Sequence, residues 1–287
     1  MRKRAAYTLL APACAFLLIL TVVPAVGVVI LSFFEWSGFG RPSFVGLGNF
    51  YRLSADDSFF NAAKVTVIFV VSTTLVELVM GIAVAFSMEL WPRFRNTIRL
   101  LLGFPLVLSP VMSGIIWKLS LNEQTGLFSR VLNLFLSESA RPLSSAFGAI
   151  CTIVAIDIWQ WTPLVILLVS LALERFKSRL GDLTTIDALS SRVSLRFVWG
   201  PLILPTIGVA ALLRTIDSLK VFDIVQSATA GGPGGSSEVL SFYAYKQLIK
   251  FGNFGYAASI ALLLLLVASV LWLFASKVFF APWEERL

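Results

Sequence analysis

Long apolar blocks dominate this chain and leave few choices of fold. Six stretches, near residues 7–34, 60–88, 98–118, 145–173, 198–227 and 252–280, are each long enough to cross a hydrocarbon core of roughly 30 Å as a helix. A bilayer offers no water to the backbone, so a span must satisfy its own N–H and C=O groups, and a helix does. The chain therefore reads as an all-α membrane protein, a single domain over residues 1–287 with six transmembrane helices. Charged residues make up only 14% of it, against about 25% in soluble proteins. The third stretch is the least regular, because Pro105 and Pro110 interrupt it. Proline is tolerated in membrane helices whose neighbours satisfy the freed groups.

Basic residues give the orientation. With the N-terminus inside, thirteen Lys and Arg fall in cytoplasmic segments, among them Arg2, Lys3, Arg4, Arg93, Arg95, Arg99, Arg175 and Arg196. The opposite loops hold seven, which places both termini in the cytoplasm. Trp36, Trp91, Trp117 and Trp283 lie near span ends, where an aromatic belt belongs. The same clustering accounts for the net charge of +7 without any nucleic-acid partner. The run from Tyr7 to about Phe34 exceeds the 7–15 residues or so of a signal-peptide core and is expected to be the first span. The external loops 36–59, 118–144 and 228–251 are rich in Gly, Ser, Pro and aromatics. Inside, Glu174 to Arg196 is polar, with Leu180, Leu183, Ile186 and Leu189 at helical spacing, and is expected to form short amphipathic helices.

Several chemistries are excluded. There is no histidine, and both cysteines, Cys14 and Cys151, lie in apolar segments, so neither a metal site nor a disulfide framework is expected. No Gly-Lys pair occurs, hence no P-loop; the chain is not expected to hydrolyse ATP or to bind a cofactor itself. The run Gly231-Gly232-Pro233-Gly234-Gly235 lacks that lysine and reads as a tight turn between the last two spans.

What remains is charge at membrane depth. Arg214, Asp217, Lys220 and Asp223 are spaced three apart in span five, so Arg214 can pair with Asp217, and Lys220 with Asp217 or Asp223. Such a ladder either fixes helix packing or lines a polar pathway for a hydroxyl-rich or charged solute. Asp157 and Gln160 in span four, flanked by Trp159 and Trp161, form a second candidate cluster, since aromatic faces stack on sugar rings as well as pack helices. A transporter is the reading. An ion-coupled secondary transporter and a membrane-embedded enzyme are the alternatives, the latter weakened by the lack of a catalytic cluster.

The run from Arg214 to Asp223, followed by Thr229-Ala230-Gly231-Gly232-Pro233-Gly234, resembles the fifth span and following loop of carbohydrate-type ABC importer permeases, the MalF-like member of the permease pair. Phe44-Val45-Gly46-Leu47-Gly48-Asn49-Phe50, Phe104-Pro105 with Pro110 and Trp117, and Phe254-Gly255-Tyr256-Ala257 resemble other parts of that family in order along the chain. The resemblance implies the type I ABC importer permease fold, in a bacterial or archaeal plasma membrane. It implies a second, homologous permease subunit as a heterodimer partner and an extracytoplasmic solute-binding protein. Two ABC ATPase subunits on the cytoplasmic side would hold the ATP and Mg.

The family's coupling loop carries Glu-Ala-Ala, then Asp-Gly, then two prolines. Counting back from Pro201 and Pro205, the matching positions within the cytoplasmic loop 174–197 are Asp182-Leu183-Thr184 and Asp187-Ala188-Leu189. The acids and prolines are kept, but Ala188 stands where the family has glycine, and alanine enters the left-handed region only with strain. The resemblance implies that this loop docks on an ATPase and passes its motion to spans four and five.

Overall fold

The computed structural model describes residues 2–91, 93, 95–135, 142–180 and 200–277. They are almost wholly helical. In chain order the helices are α1 (Arg2–Ser32), α2 (Gly48–Ser54), α3 (Asp57–Leu90), α4 (Arg95–Val107), α5 (Pro110–Ser120), α6 (Leu127–Phe135), α7 (Ala146–Leu180), α8 (Gly200–Leu219), α9 (Asp223–Ala228), α10 (Leu240–Tyr245) and α11 (Phe254–Ala275). A two-residue antiparallel pairing of Phe34–Glu35 with Ser43–Phe44 is the one strand pairing among the described residues. The elements group into two compact units. The first holds the chain up to Phe59 together with Tyr243–Leu266; the second holds Phe60–Phe242 and the described residues from Val267 on.

Among the described residues, four helices are long and apolar enough to cross a membrane: Leu10–Ser32, Asp57–Glu89, Ala146–Arg175 and Phe254–Ala275. Their exposure pattern is that of a protein solvated by lipid. Leu17, Val71, Leu266 and Phe274 face outward, while Glu77, Asp157 and Arg214 are buried. The third predicted span is not one helix. It is α4 and α5, bent by 95° at a short break, and counting the pair as one span brings the total to five. Of its two prolines, Pro105 lies within α4 and Pro110 makes the break. Pro110 forces Ser109 into an extended conformation (φ −63°, ψ 141°) and then opens α5, where its missing N–H costs nothing. The fifth predicted span is also interrupted. Lys220 and Val221 donate to the carbonyls of Asp217 and Ser218 in a tightened last turn, α8 stops at Leu219, and α9 restarts at Asp223.

In the first unit, two of the resembling motifs meet. The Asn49 amide donates to the carbonyls of Ser32 and Phe34, both at 2.9 Å, and so holds the turn after α1. A Cβ on Gly255 would lie 1.8 Å from the Phe34 carbonyl oxygen, so only glycine admits this approach. Tyr243 and Tyr256 both donate to the Asp56 carboxylate, which also receives the N–H groups of Ser58 and Phe59. Burial pushes the Asp56 carboxyl up, but these four donors outweigh it and hold it below the usual carboxylate range. Burial, and then the bond to Asp56, push the Tyr243 phenol up to about 12.

In the second unit, α3, α7 and α8 pack through Ala85, Val165, Val169, Leu173 and Ile203. At one end Glu174 of α7 is clamped by Arg95 at 3.0 Å and Arg99 at 2.7 Å, which fastens α4 to α7. Beyond Glu174 the helix runs on to Leu180, while the rest of the predicted amphipathic segment lies outside the described residues. The glycine run after α9 is a turn, as expected, with positive φ at Gly231, Gly234 and Gly235.

Two predictions follow from this packing. The helices α5 and α9 touch at Gly114, where a Cβ would stand 1.9 Å from Ser227 Oγ and 3.3 Å from the Ile224 carbonyl oxygen. Gly114→Val is expected to lower stability by about 1–3 kcal/mol, read as a lower unfolding temperature in detergent. Adding Ser227→Gly should recover part of that loss; a double variant no better than the single would place the strain elsewhere. The second concerns pH. A phenol that keeps its proton up to about 12 when folded and about 10 when unfolded adds stability that is full below about 10 and is lost through about 12. Tyr243→Phe should therefore remove a tyrosinate absorbance component near 12.

Candidate functional site

The second unit is organised around one side chain. Arg214, on α8, is 1% exposed and donates from all three of its nitrogens. Nε and Nη2 grip Glu77 of α3 at 2.5 and 2.9 Å, the two-pronged geometry that suits guanidinium to carboxylate. Nη2 also reaches Asp157 of α7 at 2.7 Å and Ser218 at 3.3 Å, and Nη1 reaches Asp217 at 2.9 Å. Its guanidinium carbon stands 4.9 Å from the centre of the Trp161 ring. Ser218 in turn accepts from Thr73 of α3 at 3.3 Å. Three apolar helices are thus tied by a network in which each carboxylate has a cationic partner. That is the condition under which buried charge is tolerated.

From this core the charge leads outward. Asp217 is 38% exposed on its side chain and lies 3.4 Å from Lys220, which is 70% exposed. Around them opens a cavity of about 310 Å³, walled by Asp157, Trp161, Asp217, Lys220, Phe222 and Asp223, with Pro110 at its margin. The cavity exists because two helices break beside it. The Pro110 break turns α5 away from α4, and the Lys220–Phe222 break separates α8 from α9.

The structure sorts the sequence candidates. Asp157, Trp161, Asp217, Lys220 and Asp223 line the cavity, with Arg214 directly behind it. Trp159 and Gln160 do other work. Trp159 meets Trp117 edge-on at 5.6 Å, and Gln160 donates to the Leu108 carbonyl at 2.8 Å, satisfying a group freed by the Pro110 break. Lys220 pairs with Asp217, whereas Asp223 belongs to the next helix, so the four charges do not form one continuous helical stripe. The coupling-loop positions Asp182, Leu183, Thr184, Asp187, Ala188 and Leu189 lie outside the described residues. Sequence reasoning missed Glu77, the tightest partner of Arg214. A lone carboxylate in the run Thr74-Leu75-Val76-Glu77-Leu78-Val79-Met80 was signal enough, because an ionisable group at such depth demands a partner.

No protein-family model matches the chain. The probable ABC transporter permease y4oQ of Sinorhizobium fredii is 30% identical over 253 residues, covering 87% of this chain and 82% of the relative. The sulfoquinovosyl glycerol transport system permease SmoG of Agrobacterium fabrum is 30% identical over 270 residues, covering 90% and 85%. The trehalose/maltose transport system permease MalF of Thermococcus litoralis is 29% identical over 258 residues, covering 90% and 87%. Among solved structures, a chain of a bacterial ABC transporter that imports the acidic polysaccharide alginate superposes with a TM-score of 0.82. The match covers 98% of this chain and 96% of that one at 20% identity, a likeness of fold.

The network makes a sharp prediction. Arg214→Met leaves Glu77 and Asp157 buried without their cation and is expected to cost about 3–5 kcal/mol, seen as loss of folded protein in detergent. Combining it with Glu77→Gln and Asp157→Asn should restore folded protein, since replacing a whole buried ion network is far less costly than breaking it. A combined variant as unstable as Arg214→Met would show that the guanidinium acts through packing rather than charge.

Proposed function

Because this chain belongs to the permease subunits of ABC transporters, we propose that it forms half of a translocation pathway for a sugar or a related polyhydroxyl solute. The observation that supports this placement is the cavity beside Arg214. It offers carboxylates and an ammonium for hydroxyl groups, and the aromatic side chains of Trp161 and Phe222 beside them, at a point where two helices are broken rather than continuous. Irregular backbone at membrane depth is tolerated where it lines a cavity. Relatives that carry trehalose or maltose and sulfoquinovosyl glycerol support the solute class.

The same reading supplies the parts not carried by this chain. Six spans cross the plasma membrane, with α4–α5 as one and α8 as another, and both termini lie in the cytoplasm, where Lys and Arg are concentrated. A second permease completes the pathway, and an extracytoplasmic binding protein delivers solute; a structural neighbour was solved with its periplasmic protein bound to an alginate pentasaccharide. ATP and Mg are held by two ATPase subunits, one of which docks on residues 182–189. The Glu174 clamp is suited to carry that motion, because α7 leads directly into the loop and is fastened to α4 by Arg95 and Arg99.

Charge reversal at Lys220, an exposed position, should reduce uptake by the reconstituted complex by about tenfold or more, equivalent to about 1.4 kcal/mol on the barrier. Asp217→Lys should do the same, and disruption of residues 182–189 should leave ATP hydrolysis running without uptake. Uptake must require ATP and resist a protonophore. Uptake that persists without ATP and collapses with the protonophore would make this an ion-coupled carrier instead.

A further inference from the structure

The charges around the cavity do not balance, and the imbalance bears on which solutes its wall admits. Four carboxylates, of Glu77, Asp157, Asp217 and Asp223, stand against two cations, Arg214 and Lys220. Arg214 is not open to an anion, since it is only 1% exposed and already bonds to Glu77, Asp157, Asp217 and Ser218. Lys220 stands beside Asp217 at 3.4 Å. Asp223, exposed in the first turn of α9, has no side-chain partner among the described residues and faces the cavity with its charge uncompensated.

We propose that this chain's wall of the pathway admits uncharged or cationic polyhydroxyl solutes and turns back anionic ones. The inference rests on the reading of the cavity as part of the pathway. Its physical basis is field focusing: a concave wall with an excess of one sign concentrates the opposite charge, by about tenfold or more where the excess is not offset. The cavity is about as wide as the screening length of roughly 8 Å in physiological salt, so ions weaken the effect without erasing it.

The test uses the assembled importer in lipid nanodiscs. The exposed cysteines Cys14 and Cys151 are replaced by serine, and Val221→Cys places one thiol on the cavity wall. Its labelling rate is measured with a trimethylammonium methanethiosulfonate and with a sulfonate methanethiosulfonate, each normalised to its rate with a free thiol in solution. The cationic reagent is expected to win by about tenfold or more, and Asp223→Lys should collapse that preference. A ratio near one, or a preference for the sulfonate, overturns the proposal. Phe222→Cys serves as reporter if Val221→Cys does not assemble. The ATPase turnover of the labelled complex separates this inference from the reading beneath it. Turnover that labelling leaves unchanged removes the cavity from the moving pathway and overturns both. Turnover that labelling blocks, with rates indifferent to charge, keeps the pathway and overturns the charge selectivity alone.

Discussion

The buried guanidinium of Arg214 is the constraint around which the second unit is arranged. An unpaired ion at membrane depth is costly, and this one is tolerated because α3 supplies Glu77, α7 supplies Asp157 and its own helix supplies Asp217. Dispersion between apolar helices in lipid is weak in direction, since lipid tails pack against leucine as readily as another leucine does. A fork of hydrogen bonds is not. Glu77 fixes the height of α3 against α8 to within the tolerance of a two-pronged bond, and Asp157 does the same for α7.

Once those three helices are registered, the irregular parts acquire a purpose. The helix α8 ends at Leu219, and the Lys220 ammonium just beyond it stands in the open beside Asp217. Likewise α5 turns away from α4 at Ser109, and the cost of the freed Leu108 carbonyl is removed by Gln160 from the neighbouring helix. Each break is thus stabilised by a specific partner. The two broken segments α5 and α9 then lie against each other so closely that Gly114 leaves no room for a side chain. The cavity is what remains between them and the Arg214 network.

Much of this was legible in the sequence, and the rest was not for definable reasons. Long apolar blocks announce helices by length alone, and α1, α3, α7 and α11 follow them within several residues. Hydropathy cannot show a bend, because Leu108 and Ser109 break a helix without changing its average polarity; the only sign was Pro110, and Pro105, equally visible, breaks nothing. The spacing of Arg214, Asp217 and Lys220 foretold their pairings because those contacts are local in sequence. Glu77 is 137 positions from Arg214, and no periodicity reaches that far. Trp159 and Trp161 are two apart, so on a helix they face different ways; one turned to Trp117 and the other to Arg214, a division that only three-dimensional packing decides.

The fold does not choose the solute. This chain and a subunit of an alginate importer share one architecture over nearly their whole lengths, with a TM-score of 0.82, at 20% identity. In this chain two helices break where a polar wall forms, and the sign of that wall is set by a few side chains. On the proposed reading, Arg214 is buried holding helices together, and Asp223 and the exposed edge of Asp217 are left to set the local field. Structural and selective roles are therefore coupled. A buried, paired arginine would then leave the surrounding carboxylates to decide what may approach.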